Sequence, residues 1–142
     1  MAATRTARTA WQGNLLEGKG EVTFSSSGLG QFPVSWPART DEAANGRTSP
    51  EELIAAAHSA CFSMGLSHAL AGAGTPPTAL DTQADVTFQP GAGITGIHLT
   101  VVGQVPGIDE AAFVKAAEDA KVNCPVSKAM TGTTITLTAK LA

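Results

Sequence analysis

Charged residues are scarce in this chain. Asp, Glu, Lys and Arg make up 15% of its 142 residues, where about 25% is usual for a soluble domain. Hydrophobic residues make up 43%, and a small monomer of that composition would leave much apolar surface bare. Association with further copies is therefore expected. The net charge of −3 comes without a basic stripe, so nucleic acid is not expected as a partner. Cysteine is scarcer still. Cys61 and Cys124 are the only two, too few for the disulfide framework of a small secreted scaffold. A glycine-rich phosphate loop, a dinucleotide fingerprint and an internal repeat are all missing. No secretory signal is visible. Residues 1–10 are basic and acid-free, a faint transit-peptide character, but they run straight into a strand-like stretch. A cytoplasmic protein of one domain, 1–142, is expected.

The longest charge-free run, Leu53 to Leu80, raises the question of a membrane span. A spanning helix needs about 20 mainly apolar residues. Here His58, Ser59, Ser63, Ser67 and His68 interrupt the run, and Gly72, Gly74, Pro76 and Pro77 end it. It reads as a helix buried in protein, with no membrane partner. Its start is well marked. Ser49-Pro50-Glu51-Glu52 supplies an N-cap serine, a proline in the first turn and two acids at the positive end of the helix dipole. Ser49 and Glu52 have the spacing of a capping box. Alanine and leucine carry the helix to about Leu70.

Around this helix lie strand-like segments: Thr6 to Gln12, Gly20 to Ser25, and Phe32 to Trp36 closed by Pro37. Thr78 to Gln89 and Gly93 to Val105, separated by Pro90-Gly91, read as a β-hairpin. Ile108 to Val122 has Phe113, Ala116, Ala117 and Ala120 at helical spacing. Pro125 ends that helix or begins a short one through Met130, and the alternation from Thr134 onward closes the chain as a strand. The order is not a regular βαβ repeat. An α+β fold with a largely antiparallel sheet and a long central helix follows.

The chemistry rests with the two sulfurs. Cys61 lies in the apolar helix, where a free cysteine is commonly just a small buried hydrophobe. Cys124 precedes a proline, so its backbone is turned away from helix. At the N-terminus of a short helix its thiol would be more readily ionised. The two are too far apart in sequence for a local CxxC dithiol. A structural disulfide, a Cys61–His58 nucleophile-base pair, and a metal site drawn from His58, Cys61, Cys124 and His98 all stay open at this level.

Two motifs together narrow the field. Pro50-Glu51-Glu52-Leu53-Ile54-Ala55-Ala56-Ala57-His58-Ser59-Ala60-Cys61-Phe62-Ser63-Met64 resembles the signature helix of the OsmC/Ohr family of organic hydroperoxide reductases. Cys124-Pro125-Val126-Ser127 is similar to the family's second-cysteine motif. Trp11-Gln12-Gly13, Gly18-Lys19-Gly20 and Val105-Pro106-Gly107-Ile108-Asp109 extend the likeness over nearly the whole chain. His58 and the Pro-Val-Ser form resemble the OsmC branch more than the Ohr branch.

The resemblance implies an OsmC-like fold in an intertwined homodimer, and a thiol peroxidase that uses no metal or other cofactor. By the same resemblance Cys61 attacks an organic hydroperoxide, Cys124 resolves the product as a Cys61–Cys124 disulfide, and an external dithiol restores both. Glu51 matches the family glutamate by its Pro-Glu context. Arg39, in Trp36-Pro37-Ala38-Arg39, matches the OsmC-type arginine, with Arg47 as the alternative. Glu51 would hold Arg39, and Arg39 would stabilise the thiolate. Ten residues of one helix rise about 15 Å. Glu51 and Cys61 would then serve one pocket only across a dimer interface. Three rivals remain at this level: a non-enzymatic protein with a redox-labile disulfide, a metal-binding protein, and a general thiol–disulfide oxidoreductase. Roles for His58, His68 and His98 are not assigned.

Overall fold

The computed structural model describes all 142 residues. Its contacts divide the chain into two compact units, Met1–Leu53 and Ile54–Ala142.

The first unit is an antiparallel meander. Strand β1 (Arg8–Gln12) pairs with β2 (Lys19–Thr23), and β2 pairs with β3 (Gln31–Val34). Trp11 lies across β2, and a Cβ on Gly20 would stand 2.8 Å from its ring. Only glycine lets the indole lie this close. The segment Phe32 to Trp36 is not one strand. The strand stops at Val34, and a short helix α1 (Trp36–Thr40) begins. Ser35 is its N-cap, accepting from the Ala38 N–H at 3.3 Å. Pro37 therefore opens a helix, where its missing N–H costs nothing, instead of merely closing a strand.

Helix α2 (Pro50–Gly72) starts where the sequence indicates. The Glu52 N–H donates to Ser49 Oγ at 3.2 Å, and the Thr48 hydroxyl donates to Glu52 Oε2 at 2.6 Å. The reach-back goes to a hydroxyl rather than to the backbone N–H of a standard capping box. Within the second unit α2 buries one face, with Phe62, Leu66 and Leu70 in the core. Its other face, with Ala57, Ala60, Met64, His68 and Ala71, is exposed in the single chain, Met64 by 72%. By length and composition the helix could cross a membrane, as the core helix of a soluble protein also could. The expected long central helix is present, with its core-facing side buried.

The second unit holds a three-stranded sheet in the order β4-β5-β6. Strands β4 (Ala79–Gln89) and β5 (Gly93–Gln104) form the expected antiparallel hairpin, turning at Pro90-Gly91-Ala92. Helix α3 (Glu110–Asn123) is capped by Asp109, whose carboxylate accepts from the Ala112 N–H at 2.7 Å. A five-residue helix α4 (Pro125–Ala129) follows, and β6 (Ile135–Leu141) then pairs with β5 in parallel. A helical crossover is what a parallel neighbour needs. Phe113 of α3 packs directly on Gly103 of β5, where a Cβ would stand 2.6 Å from the ring. Leu99, Val101, Phe113, Ala117 and the three α2 anchors make one apolar core, and Cys124 is part of it.

Candidate active site

Cys61 sits mid-way along α2, half-buried, on the side that packs against the core. Cys124 is both the last cap of α3 and the first cap of α4, and is 2% exposed. Its N–H donates to Ala120 O at 2.8 Å, and its carbonyl accepts from the Lys128 N–H at 3.0 Å. Proline after it forces this break, so the chain turns at the sulfur. Both thiols are free. They lie within hydrogen-bonding reach of each other, near the separation of a disulfide.

The surroundings of Cys61 hold its thiol above the ordinary value. Burial is the main cause. A hydrogen bond from the Val126 backbone N–H to the sulfur works the other way, while the hydrogen bond and charge of Cys124 raise it further. None of these influences is a cation. A nearby positive charge would favour the thiolate of such a half-buried thiol.

A cation held by a carboxylate is present in the first unit. Arg39, in the last turn of α1, donates from Nε to Glu51 Oε1 at 2.8 Å, with Nη2 also 2.8 Å from that oxygen. The guanidinium carbon stands 5.8 Å from the Trp36 ring centroid, in cation–π range. Glu51 is buried, and its Oε2 has no hydrogen-bond partner. Arg39 also lines a cavity of about 380 Å³ with Trp11, Leu15, Val34, Trp36 and Leu53. Arg47, the alternative arginine, is exposed and lines a different pocket beside Glu21 and Lys19. The structure pairs Glu51 with Arg39.

The histidines do not join the sulfurs in a metal cluster. No group of three or more His, Cys, Asp or Glu side chains is arranged to hold a metal ion. His98 on β5 engages the Thr136 hydroxyl through Nδ1 and the Thr138 hydroxyl through Nε2, the latter at 3.0 Å. His58, fully buried, faces Ser127 of α4, with Nε2 2.7 Å from Oγ. That contact occupies Nε2 with a hydroxyl, which weighs against a Cys–His base pair. Burial pushes the imidazole below its ordinary value. In the sequence Ser127 belongs to the Cys124-Pro125-Val126-Ser127 motif, which by itself assigns it no role. Its position at the third residue of a proline-led helix was the available signal.

Comparison with known proteins decides the family. The model of OsmC-like proteins matches residues 43–140, and the chain is 43% identical over 133 residues to the peroxiredoxin OsmC of Escherichia coli (strain K12), covering 92% of each. The chain belongs to the OsmC-like protein family. Among solved OsmC-like structures, it resembles an organic hydroperoxide resistance protein from Elizabethkingia anophelis with a TM-score of 0.75, at 25% identity and over the full length of both chains. It resembles the organic hydroperoxide resistance protein OhrB of Bacillus subtilis with a TM-score of 0.68, at 25% identity, over 95% of this chain and 98% of the other. The OsmC-like assignment covers both cysteine motifs and Glu51, and the match to the Escherichia coli relative extends over nearly the whole chain.

Proposed function

We propose that this chain is a cysteine-based peroxidase that reduces organic hydroperoxides to alcohols. The observation that carries the reading is the meeting of its two free thiols, remote in sequence, near disulfide separation. Cys61 is the nucleophile and Cys124 the resolving cysteine. Arg39 is the thiolate-stabilising cation, and Glu51 holds it.

The reaction runs in three stages. The Cys61 thiolate attacks the outer oxygen of ROOH. An S–O bond forms, the O–O bond breaks, and the alkoxide takes a proton and leaves as ROH. The sulfur has given two electrons and is now a sulfenic acid. The Cys124 thiolate attacks that sulfur, so the S–S bond forms and the S–O bond breaks, releasing water after protonation. An external dithiol then reduces the disulfide by two exchange steps and becomes a disulfide itself.

Activation needs a guanidinium, which stays charged and whose fork can bind a carboxylate while facing a sulfur. Ten helical residues between Glu51 and Cys61 amount to about 15 Å, so the Arg39–Glu51 pair that serves one Cys61 is proposed to come from a second copy. An intertwined homodimer, with the chain acting as one OsmC-like domain, also gives the uncharged outer face of α2 a cover. The apolar lining around Arg39 suits a hydrocarbon body better than hydrogen peroxide. A cytoplasmic site, where thiols stay reduced, completes the proposal.

The test is a stopped-flow reaction of fully reduced protein with cumene hydroperoxide and with hydrogen peroxide. Rapid loss of both thiols, faster with the organic substrate and abolished in Cys61→Ser, supports the reading. Wild-type consumption equal to that of Cys61→Ser refutes it.

A further inference from the structure

His58 is the one fully buried titratable side chain that the steps above leave unused. It stands one turn before Cys61 on α2, on the same side of the helix. Its partner Ser127 stands three residues after Cys124, in the first turn of α4. The 2.7 Å contact between Nε2 and Oγ therefore joins the turn that carries one sulfur to the turn that carries the other. A second tie joins the same two turns, the Val126 N–H to the Cys61 sulfur. The two ties differ in what the reaction does to them. The Val126 bond ends on the sulfur that is oxidised and then becomes covalently linked. The His58–Ser127 bond ends on atoms that do not react.

The other ring nitrogen, Nδ1, is buried without a partner. Whichever of Nε2 and Oγ carries the bridging proton, the bond joins the same two atoms. That one bond sets the direction of the ring.

We propose that the His58–Ser127 hydrogen bond is a clasp that keeps Cys124 in reach of Cys61 while Cys61 is a sulfenic acid, and so sets the speed of disulfide formation. His58 and Ser127 are positioning residues. This rests on the peroxidase reading above. Without the clasp, the α4 turn is held only by packing and by a bond whose acceptor has changed. The sulfenic acid then lives longer, and a second hydroperoxide converts it to sulfinic acid, its own O–O bond breaking as a second alcohol leaves.

The experiment follows the fate of Cys61 by rapid quench and mass spectrometry after reduced protein meets cumene hydroperoxide. Wild type, Ser127→Ala, Ser127→Thr and His58→Gln are compared. In Ser127→Ala the first step should hold its rate constant within about twofold. Disulfide formation should slow about tenfold or more, as misplacement of a reacting group does, and the sulfinic fraction should rise with hydroperoxide concentration. Ser127→Thr keeps the hydroxyl and should restore resolution. Unchanged disulfide formation in folded Ser127→Ala, or equal slowing in Ser127→Thr, overturns the clasp while leaving the peroxidase intact. A wild type that forms no disulfide overturns both. A readout on wild type needs no variant: ¹⁵N signals of His58 should report a hydrogen-bonded Nε2 in the reduced and the disulfide forms alike. Loss of that bond in either form contradicts the proposal.

Discussion

Arg39 grips Glu51 through a single carboxylate oxygen, with Nε and Nη2 each 2.8 Å from Oε1, and leaves Oε2 buried and unmatched. A carboxylate so placed orients the guanidinium but does not use both of its own oxygens. If this pair activates the Cys61 sulfur, Arg39→Met should lower kcat/KM for cumene hydroperoxide by on the order of 10²-fold, the usual scale for removing one aimed charge from a transition state. Arg39→Lys should recover only part, because an ammonium is a point charge without the fork. Arg47→Met should leave kcat/KM within about twofold, as for an exposed side chain remote from special features. Steady-state kinetics on the three variants checks the ordering.

The sign of the Cys61 shift yields a pH prediction. Burial raises the thiol first, and Cys124 raises it again. Replacing Cys124 by Ala removes the second cause and keeps the first. The pH dependence of Cys61 alkylation in Cys124→Ala should therefore move to lower pH than in wild type, with Cys61 identified as the modified residue by peptide mapping. A shift to higher pH would mean that Cys124 stabilises the thiolate instead.

His58 links stability to pH in the opposite sense from a paired histidine. Its folded value lies below the ordinary 6.5, so below that pH the unfolded chain binds a proton that the folded chain resists. Stability is fully present above about 6.5 and falls as pH drops toward the depressed folded value. Urea unfolding of wild type and His58→Gln between pH 5 and 8 should show a steeper acid loss in wild type. Parallel curves would place the loss elsewhere.

The contact of Phe113 with Gly103 tests the packing of α3 on the sheet. Gly103→Ala should destabilise by about 1–3 kcal/mol, the range for overpacking a tight core, because the new Cβ meets the ring at 2.6 Å. A midpoint shift in urea unfolding at unchanged slope measures it.

The parts legible in the sequence are those fixed by local chemistry. Ser49-Pro50-Glu51-Glu52 marked the start of α2 because capping and helix-dipole effects act within one turn. The β4–β5 hairpin was marked by Pro90-Gly91 between two long strand-like runs, and Gly91 does take positive φ, 83°. Helix α1 was missed because Pro37 ends a strand and opens a helix with equal ease, and Ser35 as its cap decides only in three dimensions. The parallel direction of β6 was not readable, since alternation fixes a strand's faces and not its heading. The pairing of Arg39 rather than Arg47 with Glu51 depends on where α1 places its last turn. The contact of Ser127 with His58 depends on α4 lying against α2.

The central claim is that Cys61 and Cys124 form a bond to each other as hydroperoxide is consumed. The direct measurement is peptide mapping by mass spectrometry after one equivalent of cumene hydroperoxide is added to reduced protein. The account predicts a peptide pair linked through Cys61 and Cys124 within one chain, reversed by dithiothreitol. Two unmodified cysteines, or a link only between Cys61 residues of different chains, would contradict it.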